Sequence, residues 1–256
     1  MEQQRDEEIS ARVERLLTAQ PTAPPEARRV RRRFPVVGTR TESPRYVAIE
    51  VEVDAEFARA YRRPGQYVTL KLDGWPPRFY VVASRPRDDR WEFLVDLQGE
   101  LGPVLSELEI GDDVFVSLPE GAGFDPTEAV GRPVALFCTG SGLASMRPLV
   151  EHWLTGSDRE RPASVDLFYG ERRPVDFCLD EVVSDWEDRG VRVHRAAEHD
   201  DSGTCRHRYV QDAFDADPPE MQGGYAYLSG APVMTQIVAE KMLNVGVMPS
   251  HIKVNI

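Results

Sequence analysis

The hydrophobic pattern changes once along the chain, near residue 130, and this change constrains the fold more than any other feature. Before it, short β-branched and aromatic runs separated by Gly and Pro turns occupy residues 46–53, 66–72, 79–82, 91–95 and 114–118. After it, short apolar runs alternate with helical patterns, at residues 134–138, 165–169, 191–194, 225–228 and 252–254. Six short strands, these five and one that begins at Phe34, predict a small antiparallel barrel. Strands alternating with helices predict a parallel sheet.

The chain is therefore predicted to have three parts. Residues 1–33 form a mobile N-terminal helix and basic linker, because apolar residues recur at helical spacing and prolines then end the helix. Residues 34–127 form an antiparallel Greek-key β barrel, and residues 128–256 form an α/β domain with a five-stranded parallel sheet. The basic run RRVRRR at 28–33 is interpreted as a solvated charge run, with a docking arm for an acidic partner or a second subunit as the alternative.

Composition excludes several function classes. The net charge of −12 opposes binding to nucleic acid or to an anionic membrane. No apolar run approaches the roughly 20 residues of a membrane span, and the acidic start MEQQRDEEIS is no signal or transit peptide, so we expect a cytoplasmic location. Three cysteines exclude an iron–sulfur cluster held by four thiolates of this chain alone. Any electrons must then travel on an organic cofactor or leave for a partner.

A glycine turn follows the first strand of the second half, in the sequence CTGSGLA at residues 138–144. Small residues let backbone N–H groups approach a pyrophosphate, and the N-terminus of the following helix favours negative charge. The turn has no Gly-Lys-Ser/Thr ending and no G-x-S-x-G pattern, so neither an ATP-type loop nor a nucleophilic Ser141 is expected. A glycine turn needed only for backbone geometry is the alternative.

Three further stretches could carry chemistry. Arg78 and Tyr80 point to one face of a strand, where a cation and a phenol suit a phosphate and a flat ring; a packing pair on the barrel exterior is the alternative. The turn GELG at 99–102 ends a strand and opens a short helix, which is a second anion-binding geometry. The stretch YLSGAPVM at 227–234 is another strand-end turn before a helix, where α/β proteins bind ligands.

These stretches, in this order, resemble the ferredoxin–NADP reductase superfamily over roughly residues 34–256, as a divergent single-module member without an iron–sulfur domain. RFYVVAS resembles the flavin motif Arg-x-Tyr-Ser/Thr, GELG the flavin-pyrophosphate turn, and CTGSGLAS the Gly-Thr-Gly nicotinamide-dinucleotide loop. LFYGERRPVDF resembles the strand and turn near the adenosine end, and YLSGAPVM the Cys-Gly-Pro segment. The resemblance implies an FAD-binding barrel, an NAD(P)H-binding α/β domain and an oxidoreductase.

The resemblance also implies the site residues. Those near FAD are Arg78, Phe79, Tyr80, Val81, Gly99, Glu100, Leu101 and Gly102. Those near NAD(P)H are Thr139, Gly140, Ser141, Gly142, Arg172, Gly230 and Ala231. Tyr80 and Ser229 would lie beside the reacting rings, Ser229 as a positional residue and not as a nucleophile.

The chain departs from the family pattern near the reacting atoms. Val81 stands in place of Ser or Thr, Ser229 in place of Cys, and Ala231 in place of Pro. Gly102 and Ser145 are further departures in the two phosphate turns. The first interpretation is a flavoprotein reductase that passes electrons from NAD(P)H to an unidentified acceptor, which could be a protein. The alternative is a flavin- or nucleotide-binding regulatory or complex subunit with weakened or lost hydride transfer.

The choice of nucleotide depends on the residues after the third strand of the second half. Glu198 would repel the 2′-phosphate of NADPH, whereas Arg172, Arg206 and Arg208 would attract it. We predict a preference for NADH. A group of His and Cys residues at 194–207 matches no zinc spacing, and no metal site is expected.

Overall fold

A computed structural model describes residues 2–18 and 30–255. The helices in these ranges are α1 (Glu2–Thr18), α2 (Ala55–Ala60), α3 (Gly102–Leu105), α4 (Leu143–Thr155), α5 (Asp180–Asp188), α6 (Val210–Ala216) and α7 (Pro232–Asn244). The strands are β1 (Arg31–Thr41), β2 (Tyr46–Glu52), β3 (Tyr67–Lys71), β4 (Arg78–Val81), β5 (Arg90–Asp96), β6 (Asp113–Ser117), β7 (Pro133–Thr139), β8 (Ser164–Glu171), β9 (Arg192–Ala197), β10 (Tyr225–Ser229) and β11 (Ile252–Asn255). None of the helices in these ranges combines the length and hydropathy that a membrane span requires.

The first half is a six-stranded antiparallel sheet that curls into a nearly closed barrel, as predicted. Its strand order is β4-β3-β6-β1-β2-β5. Alternate residues of these strands point inward, and the buried rings of Phe57, Tyr61 and Trp91 fill one end of the barrel. The core therefore combines the β-branched and aromatic residues of the predicted strands with Phe57 and Tyr61 from α2 and its C-cap.

β1 begins at Arg31, so the prediction that residues 31–33 belong to a basic linker is wrong. Their backbones pair with β6 from Arg31 opposite Ser117 to Arg33 opposite Phe115. The side chains also have partners, since Arg32 forms ion pairs with Asp54 and Glu56. The run of arginines can occupy this strand because none of the three side chains is buried. The rest of the predicted linker, residues 19–29, lies outside the described residues.

The second half is a five-stranded parallel sheet with the order β11-β10-β7-β8-β9, which confirms the predicted architecture. The helices α4 and α5 pack on one face of the sheet, and α6 and α7 pack on the other. β7 lies at the centre, so the chain runs outward in one direction through β8 and β9 and then returns to β10 and β11. The loops after β7 and β10 therefore meet at a point where the strand order reverses, which is where open parallel sheets bind ligands.

The N-terminal helix packs against the α/β half in the structure, whereas the sequence predicts a mobile segment. Val13 is only 2% exposed and belongs to the apolar cluster formed by α6, α7 and the sheet. Ile9, Leu16 and Leu17 pack against the same cluster. The helical spacing of these four residues is explained by one apolar stripe that covers α7 and β11.

The two halves share a continuous interface. Tyr46, Leu94 and Phe124 from the barrel side join the same buried cluster as residues of α4 and α5. Polar contacts surround this cluster: Arg147 of α4 forms an ion pair with Glu92 of β5, and the Leu179 N–H donates to Glu42 at 3.0 Å. The barrel and the parallel sheet are therefore held in one arrangement, with the carboxyl edge of the sheet facing the ends of β2 and β5.

Candidate functional site

Two strand-end loops meet at the carboxyl edge of the parallel sheet. β7 ends at Thr139 and β10 at Ser229, and the two strands are neighbours with Ser229 opposite Cys138. The Ala231 N–H donates to Thr139 Oγ1 at 2.9 Å, which ties the second loop to the first. Gly230 has a φ of 135°, and a Cβ there would lie 2.2 Å from Thr139 Oγ1. Only glycine fits this approach, so the local sequence Ser-Gly-Ala is required by packing.

The glycine turn after β7 is enclosed on both sides. Gly140 has a φ of 60°, and a Cβ there would lie 2.9 Å from the Tyr46 hydroxyl of the barrel. A Cβ at Gly142 would lie 2.4 Å from the Ser229 carbonyl oxygen. Ser141 between them is exposed, and the turn leads directly into α4. The turn thus presents backbone N–H groups and a small side chain at a helix N-terminus, as an anion site requires.

A cavity of about 840 Å³ opens beside these loops. It is bounded by the glycine turn, by the ends of β8 and β9, and by the first turns of α6 and α7. The predicted residues Thr139, Gly140, Ser141, Arg172, Gly230 and Ala231 all line it. This volume is typical of a site for a nucleotide-sized ligand.

Charged side chains of both signs line the cavity. Arg172 and Arg208 are exposed, and neither forms an ion pair with a carboxylate among the residues that the structure describes. The Arg208 guanidinium lies over the Tyr209 ring, 5.2 Å from its centroid. Glu198 lines the same cavity. Two arginines without a carboxylate partner in a cavity are suited to a ligand that carries phosphate.

The barrel contributes a further group of charges to this cavity, which we call the Arg45 cluster (Arg45, Asp96 and Glu171). Arg45 holds Asp96 through two nitrogens, with an Nη2–Oδ2 distance of 2.6 Å and an Nε–Oδ2 distance of 3.1 Å. Its Nη1 also lies 3.7 Å from Glu171 Oε2. The hydroxyls of Tyr169 and Tyr46 donate to Glu171 at 2.9 Å and 3.4 Å. Burial raises the pKa of Glu171 to about 7.

Sequence reasoning missed the Arg45 cluster. Tyr46 opposes Asp96 in the pairing of β2 with β5, so the start of β2 and the end of β5 lie at the same edge of the barrel. Glu171 reaches that edge only because β8 ends under it, across the domain interface. An Arg-Tyr pair at a strand start and an Asp at a strand end are visible in the sequence. Their register and the placement of the domains are not.

The predicted flavin residues of the barrel are partly brought together. Arg78 of β4 forms an ion pair with Glu100 of the turn after β5, and its Nε donates to Glu100 Oε2 at 2.8 Å. Tyr80 lies on the same face as Arg78, and burial raises its pKa to about 12. Phe79 points to the other face, is 58% exposed, and packs edge-on against Tyr67. Val81 packs against the buried cluster that crosses the domain interface.

The predicted anion turn at residues 99–102 has a specific hydrogen-bond pattern. The Gly99 N–H donates to the Asp96 carbonyl at 2.9 Å, and the Gly102 N–H donates to the Gly99 carbonyl at 3.0 Å. Within the described residues, the N–H groups of Glu100 and Leu101 have no backbone acceptor. A Cβ at Gly102 would lie 2.2 Å from the Asp96 carbonyl oxygen, so glycine is required there. The turn therefore leaves two amides for a ligand beside Arg78.

Ser229 is a buried strand residue and lacks the surroundings of a nucleophile. It is 4% exposed and lies on the face of β10 that Tyr227 shares, under α4. A nucleophile needs an activating base within hydrogen-bond reach. No base is recorded within hydrogen-bond distance of Ser229 Oγ in the described part of the chain.

Comparison with known proteins shows what the two halves of the chain are similar to. Residues 136–240 match the family described as the oxidoreductase NAD-binding domain. The chain is 28% identical over 232 residues to the ferredoxin–NAD(P)+ reductase component of the naphthalene 1,2-dioxygenase/salicylate 5-hydroxylase systems of a Ralstonia species, covering 88% of this chain and 68% of that protein. The corresponding component from Pseudomonas putida is 27% identical, over 74% of this chain and 58% of that protein.

Solved structures share the fold. The ferredoxin reductase of carbazole 1,9a-dioxygenase superposes with a TM-score of 0.74 at 24% identity, covering 90% of this chain and 70% of that one. A ferredoxin NADP+ reductase from Neisseria gonorrhoeae, solved with bound FAD and NADP, superposes with a TM-score of 0.71 at 17% identity, covering 88% and 97%. A barrel beside a parallel sheet, with a glycine turn at the carboxyl edge of the sheet, is the fold that this chain shares with them. The relatives by sequence are reductase components, which supports an oxidoreductase. The chain therefore resembles ferredoxin reductases in sequence and in fold over most of its length.

Proposed function

We propose that the protein binds FAD on its barrel, takes hydride from NAD(P)H bound at the parallel sheet, and passes electrons to an acceptor outside this chain. The observation that carries the proposal is the presence of two phosphate-binding geometries, one in each half of the molecule. The glycine turn at residues 139–142 lines the cavity on the sheet side, and the turn at residues 99–102 with Arg78 lies on the barrel side. Both sets of residues fit phosphate groups, because each offers backbone amides beside an arginine.

The residues of the chain have separate roles in this proposal. Arg78 and the amides of Glu100 and Leu101 hold the FAD pyrophosphate, and Glu100 gives way to it because that carboxylate is 60% exposed. Tyr80 packs against the flavin, and its raised pKa keeps the phenol neutral at physiological pH. The turn at residues 139–142 and Arg172 hold the dinucleotide pyrophosphate. The bound cofactors supply the hydride and electron transfer, and the protein supplies binding and orientation.

We propose that NADH is preferred over NADPH. Glu198 lines the cavity beside the end of β9, where a carboxylate repels a 2′-phosphate and accepts a hydrogen bond from a ribose hydroxyl. Arg208 on the same cavity wall acts in the opposite direction. Steady-state kinetics with both nucleotides tests the preference: a kcat/KM for NADPH more than tenfold above that for NADH would contradict it.

We propose that the acceptor is a redox protein. The relatives from Ralstonia and Pseudomonas putida are reductase components of dioxygenase systems, and their names specify ferredoxin. The three cysteines of the given sequence cannot supply the four thiolates of an iron–sulfur cluster. Reduction of added ferredoxins and of cytochrome c by the purified protein with NADH tests this class of acceptor.

A second candidate function is a nucleotide-binding subunit that holds both cofactors without efficient transfer between them. Two departures favour it: Val81 has no hydroxyl where the family pattern has Ser or Thr, and the buried Ser229 hydroxyl stands where that pattern has a thiol. An anaerobic visible spectrum before and after NADH or NADPH separates the two. Flavin bands that bleach support the reductase; flavin bands that persist with both nucleotides support the binding subunit; a colourless protein that takes up no FAD contradicts both.

A further inference from the structure

The Arg45 cluster contains more carboxylates than cations, although it lies beside a candidate phosphate site. One guanidinium faces two carboxylates, Asp96 at 2.6 Å and Glu171 at 3.7 Å. The Glu171 side chain has no solvent exposure, whereas Arg45 and Asp96 are 20% and 26% exposed. When Glu171 is ionised the cluster is therefore net negative, and its charge cannot be screened by direct hydration.

No second cation among the described residues compensates Glu171. The titratable groups that face it are Tyr169 from its own strand, Cys138 of β7, Cys178 and Asp176 before α5, and Arg45 and Tyr46 from the barrel. Arg173 already pairs with Asp176 at 3.0 Å. Among residues 2–18 and 30–255, Arg45 is thus the only cationic side chain in contact with Glu171, and it is already bound to Asp96.

The cluster lies directly beside the glycine turn. The Tyr46 hydroxyl that donates to Glu171 also fills the space next to Gly140, where a Cβ would approach it to 2.9 Å. Arg45, Asp96, Gly140 and Ser141 line the same cavity. A pyrophosphate held by that turn would add negative charge next to an ionised Glu171, which Coulomb repulsion opposes.

The hydrogen-bond network around Glu171 accepts either protonation state. With Glu171 ionised, the hydroxyls of Tyr169 and Tyr46 both donate to it. With Glu171 protonated, the carboxyl donates to one of these hydroxyls, and Tyr169 keeps an acceptor because its hydroxyl lies 3.1 Å from Cys178 Sγ. Burial raises the pKa of Glu171 to about 7, so both states are accessible near neutral pH.

We propose that Glu171 takes up a proton from solvent when the pyrophosphate of the nicotinamide dinucleotide binds, which leaves Arg45 with one carboxylate partner beside the phosphates. The inference rests on the proposed dinucleotide site and adds proton linkage to it. Glu171 is a positioning residue here, since it acts through Arg45 and Tyr46 and not by touching the ligand.

Isothermal titration calorimetry of the oxidised FAD-loaded protein with NAD+ tests the proposal. NAD+ has no phosphate that titrates near neutral pH, so its binding at pH 7.5 in phosphate, HEPES and Tris buffers reports proton uptake by the protein. We expect about half a proton or more to be taken up per NAD+ bound. We also expect affinity to fall by up to about tenfold per pH unit above pH 7, because the free protein must then be protonated to bind.

Glu171→Gln is expected to bind NAD+ without proton uptake and with an affinity independent of pH between 7 and 8.5. The matched control is Glu92→Gln, because Glu92 is also buried at the domain interface but does not line the cavity; it should take up protons as the parent does. Binding by the parent without proton uptake, or uptake that persists in Glu171→Gln, would overturn the proposal whether or not that variant is stable. Absence of NAD+ binding by the parent at every pH would overturn the proposed dinucleotide site itself.

Discussion

Single residues at the carboxyl edge of the sheet decide how closely the two loops approach. Thr139 is both the last residue of β7 and the acceptor for the Ala231 N–H. Gly230 supplies the space for this contact, with a φ of 135°. The sequence shows a glycine in this turn, but only the structure shows that its missing side chain makes room for Thr139.

We expect Gly230→Ala to destabilise the protein by on the order of 2–4 kcal/mol and to abolish nucleotide binding. The new Cβ would clash with Thr139, and the alanine backbone would be strained at this φ. Gly190→Ala is the matched control, since Gly190 has a φ of 95° and nothing within 4 Å of its Cβ position. That control should cost only the backbone strain, about 1–2 kcal/mol, and leave binding intact. Urea unfolding and NAD+ titration of both variants measure the difference; equal losses would show that the Thr139 contact contributes nothing.

Glu171 gives the folded protein a pH dependence of stability with a definite sign. Its pKa of about 7 in the folded state exceeds the value near 4.3 expected in the unfolded chain, so the folded state binds more protons between these limits. The free energy of unfolding contributed by Glu171 must then fall as pH rises from about 4.5 to 7. Glu171→Gln removes this contribution and should gain on the order of 2–4 kcal/mol relative to the parent between pH 5 and pH 8. Denaturant midpoints at the two pH values test it; parallel pH curves for the two proteins would contradict it.

Elements were predictable where local pattern determines them. The alternating runs located β2 to β6, and the apolar runs located β7 to β11 within one to three residues. β1 was only partly recognised because RRRFPVVGTRT has charged residues at its start and a proline inside, and it is a strand through pairing with β2 and β6. The helix α2 was missed because it is six residues long, and its cap depends on Asp54 accepting from the Glu56 and Phe57 N–H groups.

The candidate site, too, was predictable only where a local motif marks its residues. The glycine turns and Arg78 were marked by residue type and spacing, and they lie where two strand ends face the domain interface. Arg45, Asp96 and Glu171 come together only through the register of β2 with β5 and through domain placement. Neither of these is encoded in a local motif.

The ion pair between Arg78 of β4 and Glu100 of the turn before α3 provides a test of flavin binding. We expect Arg78→Ala to weaken FAD binding by about tenfold to a hundredfold, since a hydrogen bond to a charged group contributes about 1.5–3 kcal/mol. Arg33→Ala is the control, because Arg33 is an exposed barrel arginine whose nearest carboxylates are 3.7 Å away. Fluorescence titration of the apoproteins with FAD measures both; unchanged affinity in Arg78→Ala would remove Arg78 from the flavin site.

The docking of α1 on α7 and β11 is equally testable. Val13→Ala should lower the free energy of unfolding by about 1–3 kcal/mol, because it removes two methyl groups from a site that is 2% exposed. Glu14→Ala changes the exposed neighbour on the same helix and should alter stability by less than about 0.5 kcal/mol. Thermal unfolding compares the two, and equal effects would mean that α1 does not contribute to the core.

At the scale of the whole molecule, the domain interface combines a shared apolar cluster with ion pairs. Arg147 contacts both Glu92 of the barrel and Glu151 of its own helix, at 18% exposure. Glu92 is 6% exposed and has Arg40 as its other partner, 3.4 Å away. Removing Arg147 would leave a buried carboxylate with one distant partner, which is more costly than the loss of a surface pair.

We therefore expect Arg147→Ala to lower the free energy of unfolding by about 2–4 kcal/mol. Arg85→Ala is the comparison, because its pair with Asp88 spans 3.7 Å on the surface near the same interface, and it should cost less than about 1 kcal/mol. Chemical denaturation at low and high salt measures both variants. An Arg147→Ala effect as small as that of Arg85→Ala would mean that the apolar cluster alone joins the domains.

The packing of α1 has a consequence for the order in which the chain can be completed during synthesis. α1 ends at Thr18, but the surfaces that cover its apolar stripe begin at Pro232 and Ile252. β7 likewise can pair with β10 only after β8 and β9 have been synthesised, because both precede β10 in the sequence. The barrel strands from Arg31 to Ser117 can pair among themselves as they leave the ribosome, whereas the first helix must remain unpartnered until the last strands emerge. Ribosome-stalled chains that stop before Pro232 should accordingly show protease-sensitive α1 and a protease-resistant barrel.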